Sequence, residues 1–437
     1  MVKVTYPTDT IFTIAMTRVK FGFGATSEVG HDLKTAAMLK GVKLNKVLIV
    51  TDKRLAELGL AEKVKGYLEE EGIKADIYDG THIEPTDKAV MEAVKFAKEK
   101  GPYDGYVGLG GGSSLDTAKM INLLLTHGGE LLDYIAPPTG KGKPVPGAVK
   151  PMIAIPTTAG TGSETSPVAV VDLVDLKLKV GVSHPFLRPD FGVVDPLNTV
   201  TSPPMVTASC GMDVLTHAME SFTAIPYNAR PKPEHPSKRP VYVGSNPISD
   251  FWSLKAIELC GKYLRRAVWC GTDLEARFHM SLAATLAGVG FTTAGVHIPH
   301  AAAYPIAGRV KDYRPPDYPQ EEPIIPHGIA VSLTAPAVFK RTAVASPDKH
   351  LLIAKYLGVN VEGVSPDQAG EVLSEAIRKL MKDIKFPNGL SEVGYTEKDI
   401  PDLVEGTLKI QRLLACSPIR VTKELLTEVF EESIVIY

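Results

Sequence analysis

The chain has 437 residues, more than a single hydrophobic core usually supports, so we expect two domains. Its 48 basic and 50 acidic residues nearly cancel, and no apolar run is long enough to cross a bilayer. These values argue against nucleic-acid and membrane partners and favour a small-molecule partner. The N-terminal residues lack the pattern of a secretory signal peptide, which predicts a cytoplasmic location.

The first half of the chain alternates short β-branched runs with amphipathic segments. This alternation predicts βαβ units and a Rossmann-like parallel sheet, with ligand-binding loops after the carboxyl ends of its strands. The apolar runs cover residues 46–51, 75–78, 105–108 and 152–156, and the helical segments among them cover residues 53–71 and 87–99. We assign residues 1–196 to this α/β dinucleotide-binding domain.

After residue 196 the strand signals fade, and apolar residues recur at helical spacing. The predicted helices cover residues 206–221, 249–268, 273–287 and 366–384. Residues 224–247 and 310–326 are rich in proline and charge, which predicts long loops. We assign residues 197–437 to an all-helical, metal-binding domain. The cysteines are too widely spaced for a disulfide framework or a thiolate zinc site; they are Cys210, Cys260, Cys270 and Cys416.

A glycine-rich turn connects a predicted strand to a helix, with the sequence Gly-Leu-Gly-Gly-Gly-Ser-Ser-Leu-Asp-Thr-Ala-Lys over residues 108–119. Such a turn lets backbone N–H groups and the helix dipole face a pyrophosphate. Its candidate phosphate-binding residues are Gly110, Gly111, Gly112, Ser113 and Ser114. A tight turn that only caps a helix needs the same residue types, so the turn alone leaves both interpretations open.

A second loop of similar composition supports a nucleotide site, with Pro-Thr-Thr-Ala-Gly-Thr-Gly-Ser over residues 156–163. Asp52 follows a predicted strand, where a carboxylate can accept hydrogen bonds from an adenosine ribose and repel a 2′-phosphate. This position favours NAD over NADP. The alternative for Asp52 is the N-cap of the next helix.

One carboxylate and four histidines are candidates for a metal site. Asp213 and His217 are four apart in a helical segment, so their side chains project from one face. His297, His300 and His327 lie in later segments that are poor in other charge. A carboxylate with three neutral imidazoles suits Fe²⁺, Zn²⁺, Co²⁺ or Ni²⁺. The alternatives are a solvent-facing Asp–His pair and histidines that only hydrogen-bond to the backbone.

Four motifs occur in one order along the chain: Gly-Gly-Gly-Ser-x-x-Asp-x-x-Lys, Pro-Thr-Thr-x-Gly-Thr-Gly-Ser-Glu, Asp-x-x-x-His-Ala and Pro-His-Gly. Together they resemble the iron-containing (group III) alcohol dehydrogenase family over nearly the whole chain. The resemblance implies a dehydroquinate-synthase-like architecture, with a Rossmann-like domain, an all-helical domain and a metal ion in the cleft between them. It also implies Fe²⁺, with Zn²⁺ as an alternative, and a homodimer as a possible assembly.

The resemblance also assigns roles by motif. It implies that Asp213, His217, His300 and His327 bind the metal ion. It implies that the glycine turn binds the cofactor pyrophosphate and that Asp116 and Lys179 also contact the cofactor. Thr157, Thr158 and Thr161 would line the nicotinamide side. The alternative for Lys179 is an exposed lysine on a strand.

The sequence departs from the family pattern at two positions. Tyr304 stands where most members have a histidine that assists proton transfer, so Tyr304, His297 or solvent would have to take that role. Glu84 stands where many members have an asparagine near the adenosine.

Tyr304 and the insert at residues 224–247 are features of the hydroxyacid-oxoacid transhydrogenase branch of the family. The insert's basic residues could neutralise a substrate carboxylate, or could belong to an ordinary solvated loop. These residues are Arg230, Lys232, Lys238 and Arg239.

The resemblance implies reversible hydride transfer between an alcohol or hydroxyacid and a nicotinamide cofactor, assisted by a Lewis-acidic metal ion. An iron-type, NAD(P)-dependent alcohol dehydrogenase is the first interpretation. A transhydrogenase that recycles NAD between two organic acids is the second. A lyase of the dehydroquinate-synthase type and a non-catalytic binding protein are further alternatives.

Overall fold

The computed structural model describes residues 8–137, 139–176, 178–319 and 322–437, which form two compact units. The sheet unit is Met16–Ser202, and the helical unit is Pro203–Tyr437 together with the segment before residue 16. The sheet unit therefore ends at Ser202, six residues later along the chain than the predicted boundary at residue 196. Asp195 explains the difference, because its carboxylate accepts hydrogen bonds from the backbone N–H groups of Gly24 and Thr26 and holds this segment in the sheet unit.

Residues 8–15 lie in the helical unit, whereas chain order placed them in the predicted α/β domain. Their anchor is Asp9, whose carboxylate is buried and accepts hydrogen bonds from Arg239 at 2.7 and 3.1 Å. Thr8 also forms a β-bridge with Pro231. Contacts between residues more than 200 positions apart leave no signal in the local sequence pattern.

The sheet unit contains six parallel strands in the order β1-β8-β5-β4-β2-β3 and a separate antiparallel pair, β6-β7. The strands are β1 Arg18–Phe21, β2 Lys46–Val50, β3 Lys74–Tyr78, β4 Gly105–Gly110, β5 Met152–Pro156, β6 Val168–Leu173, β7 Leu178–Ser183 and β8 Phe191–Val194. The helices of this unit are α1 Val29–Lys40, α2 Lys53–Glu57, α3 Leu60–Glu70, α4 Asp87–Lys100, α5 Gly112–His127 and α6 Leu131–Tyr134.

The central strands β4 and β5 are buried along their whole length, as expected for a parallel sheet covered on both faces. Alternate residues of β2 enter two different hydrophobic clusters, with Leu48 in one and Val47 in the other. The helix predicted over residues 53–71 is divided into α2 and α3. Gly59 causes the division, because its φ of 77° lies in the left-handed region and interrupts the helix.

The helical unit contains α7 Pro204–Thr223, α8 Pro247–Trp269, α9 Leu274–Ala294, α10 Ile298–Gly308, α11 His327–Ser332, α12 Ala335–Thr342, α13 Pro347–Tyr356, α14 Ala369–Asp383, α15 Ile400–Leu408, α16 Gln411–Leu414 and α17 Lys423–Glu432. A parallel-sheet domain followed by a helical domain confirms the predicted fold class. Helices α7 and α8 pack closely at Gly211, where an added Cβ would lie 2.2 Å from Leu264 Cδ1.

Cys210, Cys260, Cys270 and Cys416 are free thiols. In the parts of the chain that the structure describes, no single helix is long and apolar enough to span a membrane. Helices α9 and α10 together have the length and the apolar composition of a membrane span, but the pair is bent by 104°.

Candidate functional site

Four side chains of the helical unit converge on one point. Helix α7 presents Asp213 and His217 one turn apart, α10 presents His300 in its first turn, and α11 begins at His327. One ligand atom from each residue lies within 4.8 Å of the others. The distances to Asp213 Oδ1 are 3.4 Å from His217 Nδ1, 3.7 Å from His300 Nε2 and 3.9 Å from His327 Nε2. Atoms bound to one ion at about 2.1 Å lie roughly 3.4 Å apart at the tetrahedral angle, so the cluster has the dimensions of a metal site.

The electrostatics of this Asp–His cluster also fit a metal ion. Burial lowers the pKa of His300 to about 3, and burial with the nearby His300 charge lowers the pKa of His217 well below its usual value. The imidazoles of His217 and His300 are therefore neutral, as metal ligands must be. Among the described residues, His217 Nδ1 and His300 Nε2 are buried without a hydrogen-bond partner, which is costly unless something binds them. The residues present thus fit the metal that the resemblance implies.

Glu220 is a functional residue that the sequence analysis missed. It is fully buried on α7 and contacts His300 Nδ1, while its Oε1 accepts hydrogen bonds from the backbone N–H groups of His297 at 2.8 Å and His300 at 3.3 Å. Burial raises the pKa of Glu220 to about 7. Its position seven residues after Asp213, on the same helix face, was the available signal.

The two candidate proton-transfer residues occupy different environments. His297 has no solvent exposure; its Nε2 lies 3.3 Å from the hydroxyl of Thr223 and its Nδ1 3.6 Å from Glu220. This position favours a structural role, because the imidazole is completely withdrawn from solvent. Tyr304 is partly exposed and lies one helical turn after His300 on α10. Of the two residues, Tyr304 is therefore the better placed to contact a substrate.

In the sheet unit, the glycine turn and the threonine-rich loop follow neighbouring strands at the same edge of the sheet. Gly110 and Pro156 are paired in the β4-β5 register, and the N–H of Thr157 donates to the carbonyl of Gly110 at 3.0 Å. A Cβ added at Gly112 would lie 2.7 Å from the side chain of Thr161. The glycine turn and the threonine-rich loop are therefore in close contact at Gly112. At Gly111 an added Cβ would meet nothing closer than 3.5 Å and would occupy the space before α5. Glycines 110–112, which we call the glycine cradle, leave room for a phosphate at the N-terminus of α5.

The remaining residues of the two loops differ in burial. Ser114 and Thr157 are buried, whereas Ser113, Thr158 and Thr161 are partly exposed. Ser113 Oγ accepts a hydrogen bond from the N–H of Glu84 at 3.1 Å, and so connects the turn to the segment before α4. The partly exposed hydroxyls are the ones that a cofactor could contact.

The side chains of Asp116 and Lys179 both have partners within the chain. Asp116 binds Lys119, the hydroxyl of Ser163 and the N–H of Val170, so its carboxylate is used to connect α5 to the second loop and to β6. These contacts favour a structural role over the predicted cofactor contact. Lys179 is buried on β7 and forms an ion pair with Glu84. The predicted alternative of an exposed strand lysine is wrong for this reason.

Asp52 is the N-cap of α2, the alternative that the sequence left open. Its Oδ1 accepts a hydrogen bond from the N–H of Leu55 at 3.0 Å and caps α2. Its Oδ2 lies 3.5 Å from the position of a Cβ at Gly110, so the second oxygen faces the glycine turn. Burial raises the pKa of the Asp52 carboxyl.

Two basic residues of the 224–247 insert have acidic partners within the chain. Arg239 pairs with Asp9 and Lys238 with Glu234. Lys232 is exposed, and Arg230 is only partly exposed. The predicted carboxylate-binding role is therefore left to the last two residues.

Models of two families describe most of the chain. The iron-containing alcohol dehydrogenase model matches residues 16–196, and the model of the Fe-containing alcohol dehydrogenase family, C-terminal, matches residues 240–434. The chain therefore belongs to the iron-containing alcohol dehydrogenase family and is an enzyme of the oxidoreductase class.

Curated relatives lie in one branch of this family. The mitochondrial hydroxyacid-oxoacid transhydrogenase of Xenopus tropicalis is 45% identical over 432 residues, covering 98% of this chain and 92% of the relative. The human enzyme of the same name is also 45% identical, with coverage of 98% and 91%. These relatives confirm the predicted family and branch.

Solved structures of the family have the same fold. A 1,3-propanediol oxidoreductase is 31% identical with a TM-score of 0.82, over 97% of this chain and 100% of that chain. A sulfoacetaldehyde reductase from Bifidobacterium kashiwanohense, solved in complex with NAD⁺, is 26% identical with a TM-score of 0.78, over 98% and 99%.

The predicted cytoplasmic location is wrong by the evidence of the relatives, which are named as mitochondrial enzymes. The prediction relied on the lack of a secretory signal peptide. That observation bears on secretion alone and does not distinguish the cytoplasm from an organelle.

Proposed function

We propose that this enzyme is a hydroxyacid-oxoacid transhydrogenase that holds a divalent metal ion, Fe²⁺ in the first instance, and recycles NAD. The main support is sequence identity: enzymes that bear this name are 45% identical to this chain over 98% of its length. The alcohol dehydrogenase interpretation, which we placed first from sequence, is less well supported, because the same relatives favour the second interpretation. The substrates would be small organic acids.

The residues of the helical unit have separate tasks in this proposal. Asp213, His217, His300 and His327 would hold the ion, and their burial would keep competing water away. When bound, the ion would supply Lewis acidity at the substrate oxygen, and nicotinamide would accept and return the hydride. Tyr304, one turn after His300, would position the substrate from the solvent side.

In the sheet unit, the cradle of glycines 110–112 before α5 would bind the cofactor pyrophosphate through backbone N–H groups. Asp52 would bind the adenosine ribose and disfavour NADP. The overall reaction is balanced: one hydroxyacid loses a hydride and a proton to become an oxoacid, and a second oxoacid gains both. No net NADH is formed.

The test is an exchange assay on protein reconstituted anaerobically with Fe²⁺ or Zn²⁺. The protein receives NAD in an amount equal to its own concentration, 4-hydroxybutyrate, and 2-oxoglutarate in half of the samples. Product acids are measured by chromatography, and NADH is measured by absorbance. We expect many turnovers of acid exchange without accumulation of NADH. Accumulation of free NADH from alcohols, with no acid exchange, would show an alcohol dehydrogenase instead.

The metal ligands are tested in the same assay with His300→Ala. We expect this variant to lose bound metal and most of the exchange activity, because a buried site with three ligands retains an ion poorly. Normal metal content together with normal turnover would disprove the ligand assignment.

A further inference from the structure

Arg230 and Arg412 of the helical unit have no acidic partner among the described residues. In the parts of the chain that the structure describes, neither Arg230 nor Arg412 forms an ion pair, whereas Arg239 and Arg266 are paired with carboxylates. A guanidinium group cannot lose its charge in a protein, so an arginine that is partly withdrawn from water without an anion is unfavourable. Such a side chain is a candidate site for an anionic ligand.

Arg412 lies beside two tyrosines of the helical unit. It is the second residue of α16, its side chain is exposed, and its guanidinium lies 5.1 Å from the centre of the buried Tyr242 ring. Surrounding protein desolvates the guanidinium, but the phenols of Tyr242 and Tyr304 hold the pKa of Arg412 above its usual value. The guanidinium is therefore accessible to a ligand and close to both phenols.

Arg230, in the insert, contacts the residues that follow α16. Its Nη2 lies 3.4 Å from Cys416 Sγ and 3.5 Å from the carbonyl of Ala415, and its Nε is buried without a hydrogen-bond partner among the described residues. Burial raises the pKa of the Cys416 thiol, while the charges of Arg230 and Arg412 both act to lower it. Both guanidinium groups therefore lie beside one buried thiol.

The two arginines lie close to the segment that leads into α10, the helix of the candidate ligand His300. A Cβ added at Gly295, five residues before His300, would lie 2.8 Å from Cys416 Sγ and 2.8 Å from Tyr242 Cβ. Tyr304, which influences Arg412, lies one helical turn after His300 on α10, a rise of about 6 Å along the helix. A group bound at the arginines would therefore lie near the helix that carries His300.

We propose that Arg412, supported by Arg230, binds the carboxylate of the hydroxyacid and oxoacid substrates. The proposal rests on the proposed function and gives it a residue basis. A guanidinium can form two parallel N–H···O bonds with one carboxylate, and a partly exposed phenol such as that of Tyr304 can donate a third. A four-carbon hydroxyacid bound in this way would direct its hydroxyl end toward the Asp–His cluster, whereas a neutral alcohol would lack the anchor.

The first experiment compares two substrates of equal length. Michaelis constants for 4-hydroxybutyrate and for 1,4-butanediol are measured in wild type, Arg412→Gln and Arg412→Lys, with Arg420→Gln as a matched control at an exposed arginine of the same C-terminal region. We expect Arg412→Gln to raise the KM for the acid by about ten- to a hundredfold, the effect of losing one charge-assisted pair. The KM for the diol, the metal content and the control variant should be unchanged, and Arg412→Lys should be intermediate.

The second experiment measures binding without reaction. Glutarate carries carboxylates but neither a hydroxyl nor a ketone, so the increase that it causes in the melting temperature of the metal-loaded protein reports the anion site alone. We expect this increase to disappear in Arg412→Gln and to become smaller in Arg230→Gln. If Arg412→Gln does not fold, a smaller glutarate effect and a higher KM for the acid in Arg230→Gln carry the test.

The outcomes separate the two proposals. If wild type exchanges acids but Arg412→Gln and Arg230→Gln leave the KM for the acid unchanged, the carboxylate site is disproved and the transhydrogenase function remains. If wild type oxidises only neutral alcohols but binds glutarate through Arg412, the carboxylate site remains and the proposed function fails.

Discussion

Glu220 and His300 form a buried carboxylate–imidazole pair in which Nδ1 of the ring faces Glu220 and Nε2 faces Asp213. Because the carboxylate accepts a hydrogen bond, it places the ring proton on Nδ1 and leaves the Nε2 lone pair available to a metal ion. The same carboxylate binds two backbone N–H groups at the start of α10. Glu220 therefore fixes both the orientation of His300 and the helix that carries it.

Substituting Glu220→Gln should weaken metal binding about ten- to a hundredfold, which is the usual effect of removing such a partner. Glutamine has the same size, but its amide cannot accept from His300 Nδ1 and from both backbone groups with full negative charge. The affinity is measured by Zn²⁺ competition with a chromophoric chelator. The visible spectrum of the Co²⁺ form, which reports ligand geometry, should also change.

The control is Glu431→Gln, an exposed glutamate on α17. It should leave both the Zn²⁺ affinity and the Co²⁺ spectrum as in wild type. An unchanged Zn²⁺ affinity in Glu220→Gln would show that this carboxylate only caps α10.

Substituting Gly112→Ala should weaken NADH binding by about tenfold or more. An added Cβ would lie 2.7 Å from Thr161, whose hydroxyl accepts from the N–H of Ser163 at 3.2 Å, so the second loop would have to shift. The affinity is measured by fluorescence titration with NADH. Gly66→Ala in α3 is the control, because an added Cβ there meets nothing within 4 Å and alanine favours the helix. Equal NADH affinity in the two variants would argue against the cradle as the cofactor site.

Substituting Asp52→Asn should improve the use of NADP relative to NAD by about tenfold. Asparagine caps helices as well as aspartate does, so the bond from the N–H of Leu55 to the side chain is retained while the negative charge is removed. The readout is the ratio of kcat/KM for the two cofactors, with the melting temperature measured alongside. Asp52→Ala, which also removes the cap, should cost about 1 kcal/mol of stability. An unchanged cofactor ratio in Asp52→Asn would mean that Asp52 serves only as the cap.

Local patterns predicted the parts of the site that local structure builds. The spacing of Asp213 and His217 indicated one helix face, and the glycines at 110–112 indicated a strand-to-helix turn, because each depends on neighbours within about a turn of helix. Both features are present in the structure. The alternation of strands and helices predicted the parallel sheet for the same reason.

Contacts between distant segments were not predictable from a single sequence. Glu220 acts on His300 across 80 positions, and Arg412 approaches Tyr304 across more than 100, so no periodicity connects them. Asp9 joins the helical unit through Arg239 for the same reason. Tertiary packing decided these contacts, and local propensity carried no information about them.

The last prediction concerns acid stability and His350 of α13. Its imidazole is fully buried, with Nε2 3.0 Å from the hydroxyl of Thr342 and Nδ1 2.9 Å from the carbonyl of Ser346, and burial lowers its pKa to about 4. The pKa of an unfolded histidine is about 6.5, so between these values the unfolded state binds more protons than the folded state. His350 therefore removes stability as the pH falls from about 6.5 to about 4, by at most about 3 kcal/mol.

In His350→Gln the side chain is neutral at every pH, so this loss should be absent. Urea unfolding at several pH values, followed by tryptophan fluorescence, measures the effect in the helical unit, because both tryptophans, Trp252 and Trp269, lie on α8. At pH 7.5 we expect the variant to be less stable than wild type, since its hydrogen bonds are altered, and we expect the difference to shrink as the pH falls toward 4. A difference in unfolding free energy that stays constant with pH would show that folding leaves the pKa of His350 at its unfolded value.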